Sequence, residues 1–249
     1  MKRLAFAFAG LLAAAAAHAD NVKVIASNGV KAALDELAPQ FERTSGHKVS
    51  IEYGLAAVLK RQIEGGEAFD VAILTSAGIE DLIKQGKVLA STRTPIARSG
   101  TGFMVKAGAP KPDLGSPDAV KRAVLAARSL SWAKEGASGK IFLEAMQKLG
   151  IADQAKAKGN LGADGADAAR KVAAGEAELG VLLVNEIMAQ KAHGVDLAGP
   201  LPPELQSYLA FHAGVSAASK SSVAAKTFDR FLVTPAAATV FRAKGQEPG

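Results

Sequence analysis

Residues 24–42 read VIASNGVKAALDELAPQFE. An apolar run ends at Ser27-Asn28-Gly29 and a helical pattern starts at once. Val30, Ala33, Leu34, Leu37 and Phe41 recur at i, i+3, i+4, i+7 and i+11, the spacing of one buried helix face. Pro39 falls late in this helix and predicts a kink. The unit then repeats: Val49–Tyr53 alternates as a strand, Leu55–Ile63 reads as a helix ending near Gly65-Gly66, Asp70–Leu74 as a buried strand, and Ile79–Gln85 as a helix stopped by Gly86. Strand alternating with helix over this length implies an α/β architecture with a parallel sheet.

Beyond Arg98-Ser99-Gly100 the order continues. Gly102–Lys106 reads as a strand, Ser116-Pro117 as a cap and first-turn pair opening a helix, Leu130–Ala133 as a strand, and Gly139–Leu149 as a helix. Residues 158–165 are glycine-rich and aperiodic, a loop, and Asp167–Ala174, Leu179–Val184 and Asn185–Lys191 follow as helix, buried strand and helix. Gly199-Pro200-Leu201-Pro202-Pro203 is stiff and extended, a crossing segment, before a strand at Leu209–Ala217 and helices at Val223–Val233 and Pro235–Ala243. One echo stands out: QIEGGEAFDVAIL at 62–74 and KVAAGEAELGVLL at 171–183 share a helix end, Gly-Glu-Ala and a buried strand. Either Gly-Glu-Ala is a good helix-to-strand turn, or the chain holds two similarly wound lobes. In the second case the strand ends at Thr75-Ser76 and Val184-Asn185 face a shared crevice.

Composition narrows the function classes. Residues 1–19 have a secretory signal pattern: Lys2-Arg3, an apolar run from Leu4 to Ala17, and Ala17-His18-Ala19 before Asp20. Removing that leader leaves 28 basic and 24 acidic residues, a charge of +4, without a basic run or interleaved aromatics, so nucleic-acid binding is disfavoured. The chain has no cysteine, so an exported form has no disulfide and no lipid anchor and must be held by its core. The expected location is a periplasm, with the membrane reached only through a partner.

Two helix starts are candidate anion seats. At Ser27-Asn28-Gly29 the helix end offers unpaired N–H groups and a positive dipole end, and Lys31 in the first turn opposes that dipole unless an anion offsets it. Ordinary capping by Ser27 explains the same residues equally well. Gly136-Ala137-Ser138-Gly139-Lys140 is superficially a phosphate loop, but Lys134 stands where the first glycine belongs and Ile141 where a Mg²⁺-ligating hydroxyl belongs, so nucleotide hydrolysis is not expected. There is no HExxH, no G-x-S-x-G and no cysteine nucleophile; His47, His193 and His212 are isolated, and the acids read as solvated helix faces without metal-ligand spacing. No enzyme chemistry, metal or cofactor is expected.

The carriers VIASNGVKAALDELAPQFERTSGHKV, LKRQIEGGEAFDVAIL, GEAELGVLL and the closing LVTPAAATVFRAKG resemble, in order and spacing, the periplasmic solute-binding proteins of ABC importers, in their molybdate-binding-like branch. The resemblance implies a type II periplasmic binding protein: two α/β lobes, each a mostly parallel sheet flanked by helices, joined by two crossing segments and closing on a ligand. Lobe 1 would be 20–99 plus 200–249, and lobe 2 would be 100–199. A small anionic ligand and an ABC transporter permease are the implied partners of a monomer. Molybdate binders place hydroxyls where this chain has Gly29, Leu55-Ala56-Ala57 and Leu183. The departures favour an organic carboxylate over molybdate or tungstate, with an enzyme or a sensor-binding subunit on the same fold as the alternatives. The expected ligand-binding residues are Ser27, Asn28, Gly29, Ala56, Thr75, Arg98, Ser99, Ser138, Gly139 and Asn185.

Overall fold

A computed structural model describes residues 19–249; nearly all of the expected signal peptide lies outside the described residues. The chain opens with β1 (Asn21–Ser27), α1 (Lys31–Ser45), β2 (Lys48–Gly54), α2 (Ala56–Glu64), β3 (Val71–Thr75) and α3 (Ser76–Lys84). It continues through β4 (Thr94–Ser99), β5 (Thr101–Lys106), α4 (Pro117–Ala126), β6 (Leu130–Ser131), α5 (Ala137–Lys148), α6 (Ala152–Ala157), α7 (Gly165–Ala174), β7 (Leu179–Leu183) and α8 (Val184–Ala189). The last part comprises β8 (Val195–Pro200), β9 (Leu209–Val215), α9 (Ser222–Phe231), α10 (Pro235–Ala243) and β10 (Glu247–Pro248).

These strands form two sheets, ordered β10-β4-β9-β3-β1-β2 and β6-β7-β5-β8. The α/β architecture is the expected one, but the sheets are mixed. β1 pairs in parallel with β2 and β3, and β6 with β7, whereas β9 runs antiparallel to β3 and β4, and β5 antiparallel to β7 and β8. The antiparallel pairs follow from the chain leaving and re-entering each sheet: β4 passes into β5 across Gly100, and β8 returns to β9 through residues 201–208. β4 and β8 were not expected as strands, because a bulge at Ile96 and the polar, proline-containing ends of both blur the alternation.

Helices cover both faces of each sheet. In β1, Val22, Val24 and Ala26 join the cluster around Phe41, Phe211, Phe228 and Phe241, while Ile25 points to the cluster around Leu59, Ile63, Leu74 and Leu82. The second sheet is sandwiched likewise, by a cluster around Trp132, Phe103 and Phe142 on one side and one around Met104 and Val172 on the other. α1 runs through Pro39 without a break. The proline is exposed, so the Asp35 carbonyl that loses its helical partner lies on the water side, where solvent can satisfy it. Among the described residues no helix is long and apolar enough to cross a membrane.

Candidate anion-binding cleft

The parallel strands β1, β3 and β7 each end where a helix begins, and their carboxyl ends meet at one cavity between the two sheets. β1 delivers Ser27, Asn28 and Gly29, β3 delivers Thr75, and β7 delivers Leu182 and Leu183. The starts of α2, α5 and α7 add Leu55-Ala56, Gly136–Ser138 and Gly165. Six helical segments thus begin around a space of about 30 Å³, the room of one or two water molecules. Each start carries N–H groups without helical partners and the positive end of a peptide dipole. These positive helix ends face the cavity without a basic side chain on its wall, against the one acid there, Glu186.

Four of the six starts are capped by their own side chains. Ser27 Oγ accepts from the Gly29 N–H (3.3 Å), Thr75 Oγ1 from Gly78 (3.2 Å), Asp164 Oδ1 from Asp167 (2.9 Å) and Glu186 Oε2 from Leu183 (3.3 Å). α2 and α5 have no side-chain cap, since Leu55 and Gly136 stand at their N-cap positions. They lie on opposite sides of the cleft, one from each sheet's helical cover. The two bare helix starts are therefore the natural opposed seats for an anion. Leu55, Leu182, Leu183, Leu209 and Phe211 make much of the remaining wall apolar, and Glu186 is its one ionisable side chain.

The cleft is tied across. Asn185 Nδ2 donates to the Gly29 carbonyl (2.7 Å), which also accepts from Gln246 Nε2 (3.1 Å). At the rim, Arg61 on α2 meets Glu135 before α5 at 2.7 Å. A second cavity of about 450 Å³ adjoins the first and shares Asn28, Gly165, Leu182 and Glu186 with it; Lys31, Asp35, Tyr53, Asp164 and His193 lie around it.

Of the residues expected at the site, Ser27, Asn28, Gly29, Ala56, Thr75 and Ser138 line the small cavity, and Asn185 lines the larger one while bridging to Gly29. Gly139 is the third residue of α5, where a Cβ would meet Trp132 Cδ1 at 2.5 Å, so its role is helix packing. Ser99 is buried beside the crossing segment, its Oγ 3.4 Å from the Gly100 carbonyl. Arg98, expected to supply a charge, instead pairs with Glu247 (2.5 Å) and stacks on Tyr208 (4.9 Å to the ring centroid) on the surface. On β4 it is held in the ladder with β10, and it lines neither cavity.

Two features escaped the sequence reading. Gly165 lay in a stretch read as loop, although Asp164 and Asp167 three residues on signal a helix start there. Glu186 was read with the solvated acids. Burial pushes its carboxyl up to about 7, the Leu183 N–H pulls it down, and the Asp164 charge adds to the rise. A glutamate at the third position of a helix that follows a fully buried strand was the available signal.

Comparison with known proteins places this geometry. The family of bacterial extracellular solute-binding proteins matches residues 22–247. Among curated relatives, the chain is 27% identical to an aconitate isomerase of a Pseudomonas species over 243 residues, covering 94% of this chain and 90% of that protein. It is 28% identical to the molybdate-binding protein ModA of Azotobacter vinelandii over 247 residues, covering 98% and 97% of the two chains. Among solved structures, the Azotobacter vinelandii periplasmic molybdate-binding protein superposes with a TM-score of 0.76 at 22% identity, covering 90% of this chain and 98% of that one. The sulfate-binding protein SubI of Mycobacterium tuberculosis H37Rv gives 0.76 at 21%, covering 93% and 87%. With two α/β lobes, a cleft at their strand ends and a match over nearly its whole length, the chain belongs to the bacterial extracellular solute-binding proteins, in the molybdate-binding-like branch.

Proposed function

We propose that this protein binds a small organic anion bearing carboxylate groups in the cleft between its lobes and delivers it to an ABC transporter permease. In this reading it is a monomer exported to the periplasm through a cleaved leader, with lobe 1 formed by 20–99 and 200–249 and lobe 2 by 100–199. The carrying observation is the wall of the small cavity: two uncapped helix starts, α2 and α5, with Gly29, Ala56 and Leu183 at the positions where a molybdate site needs hydroxyls. A compact oxyanion with four oxygens leaves several of them against Leu55, Leu183 and Phe211, at the cost of unpaired buried acceptors. A carboxylate presents two oxygens to the two bare helix starts and turns its carbon body to the apolar wall.

A relative named aconitate isomerase supports carboxylate ligands in this branch, and one named as a molybdate-binding protein keeps molybdate and tungstate as the second reading. The direct test is thermal unfolding of the purified protein against citrate, aconitate, malate, sulfate, molybdate and tungstate. Binding only to the native form at a hundredfold excess over Kd adds about 2.7 kcal/mol, a shift of several degrees. The carboxylates are expected to give it; a shift with molybdate or tungstate alone would make this a molybdate binder with an unusual wall.

A further inference from the structure

We propose that Glu186 is an acid–base group that moves a proton along the carbon skeleton of a bound unsaturated carboxylate, so that the cleft isomerises its ligand as well as binding it. This rests on the carboxylate reading above.

Glu186 stands at the boundary of the two cavities and lines both. A ligand whose carboxylate sits on the starts of α2 and α5 and whose body extends into the adjoining larger space carries its carbon atoms past Glu186. Only Oε2 of the side chain is used to cap α8, through the Leu183 N–H. Among the described residues no basic side chain neutralises it. Lys31 on α1 is held by Asp35 (2.8 Å) and lies over the Tyr53 ring of β2 (4.3 Å), and Asp164 at the head of α7 adds negative charge. His193, beyond α8, is the other basic group around the larger cavity and hydrogen-bonds Gln190. A buried carboxyl lifted by desolvation and by Asp164 suits proton transfer near neutral pH, being available both as base and as acid.

The step needs nothing else. The ionised Glu186 removes a proton from a methylene next to a carboxylate-bearing alkene carbon. The C–H electron pair spreads over the three-carbon allyl unit and its carboxylates, where the α2 and α5 N–H groups stabilise the added charge. Glu186, now protonated, returns the proton to the far allyl carbon, the double bond shifts by one position, and no electron is gained or lost overall. Such a shift interconverts the geometric isomers of a tricarboxylate like aconitate.

The test is proton NMR of trans-aconitate with the purified full-length mature protein in D₂O, with calorimetry for binding. Deuterium is expected to enter the methylene and the cis isomer to appear. Glu186→Gln, which keeps an acceptor for Leu183, should still bind but exchange at least a hundredfold more slowly. In the wild-type protein kcat/KM should rise with pH through about 7, the range to which burial lifts Glu186. Binding without exchange, exchange unaffected by E186Q, or a flat profile from pH 5 to 8 overturns the proposal but leaves the carboxylate reading standing. No binding at all overturns both. Should E186Q fail to fold, the wild-type profile decides alone.

Discussion

Gly29 carries more of the story than any other residue. A Cβ built on it would stand 2.3 Å from Phe211 Cζ, so the ring of β9 occupies the place where a serine side chain would reach the cleft. The glycine and the ring opposite it thus fit each other across the sheet. Gly29→Ser should cost about 1–3 kcal/mol by overpacking, measured by denaturant unfolding, and Phe211→Leu in the same chain should recover part of it. A second residue-scale consequence concerns Asp229, which is buried on α9 and accepts a 2.8 Å hydrogen bond from Thr94 Oγ1. Burial raises its carboxyl from 3.8 to about 6, against the pull of Thr94 and Arg230. The folded form therefore keeps a proton that the unfolded chain has released between these values, and stability falls as pH rises through about 6. Asp229→Asn, which preserves the acceptor, should raise Tm at pH 8 and change it little at pH 4; a gain only at low pH contradicts this sign. At this scale the sequence was only partly legible. Ser27, Asn28 and Gly29 could be found because a capping triplet directly follows a strand. Phe211 could not, because it acts on Gly29, more than 150 positions away; Glu186 had only the signal of its place at the start of a helix after a buried strand, since the cavity it lines is closed by β1, equally distant in the chain.

Elements do the electrostatic work of the cleft. The same segments that build the sheets present their helix starts to the ligand, and the starts of α2 and α5 are left without side-chain caps. An uncapped start sacrifices about 1 kcal/mol of helix stability, which is reasonable where an anion completes the cap. Ala137→Asp, at the first position of α5, tests that trade. The carboxylate should favour the helix by about 0.3–1 kcal/mol while repelling the ligand, so thermal stability holds or rises as anion affinity falls at least thirtyfold. Unchanged affinity would place the ligand elsewhere. The repeated strand–helix order was readable from periodicity because β1, β3 and β7 are buried on both faces and their helices are amphipathic. β4 and β8 were not, since each is short and carries a proline, with Thr94 and Ser99 at the ends of β4 and Gly199-Pro200 closing β8 like a linker. With β4 unread, Arg98 was expected at the ligand rather than in the surface ladder.

At the scale of the whole molecule, the two segments that cross between the sheets are tied to each other. Gln206 binds the first crossing to the second: its Oε1 accepts from the Thr101 N–H (2.9 Å) and its Nε2 donates to the Thr101 carbonyl (2.9 Å). Gly100 allows the close approach, because a Cβ there would stand 2.8 Å from Gln206 Nε2. Gln206→Ala leaves the Thr101 N–H unpaired, while the carbonyl keeps its bond from the Leu201 N–H (3.0 Å), and should cost about 1–3 kcal/mol, with the coupling read as a less cooperative thermal transition. By contrast the Arg61–Glu135 pair is about half exposed on both sides and is worth little to stability. It lies across the rim of the cleft. The central claim remains the nature of the ligand, and calorimetric titration of the purified protein with aconitate and, separately, with molybdate tests it most directly. The cleft described here predicts saturable one-to-one binding of the tricarboxylate, lost in Ala137→Asp, with no heat from molybdate at the same concentrations. Tight one-to-one binding of molybdate with none of aconitate would contradict it.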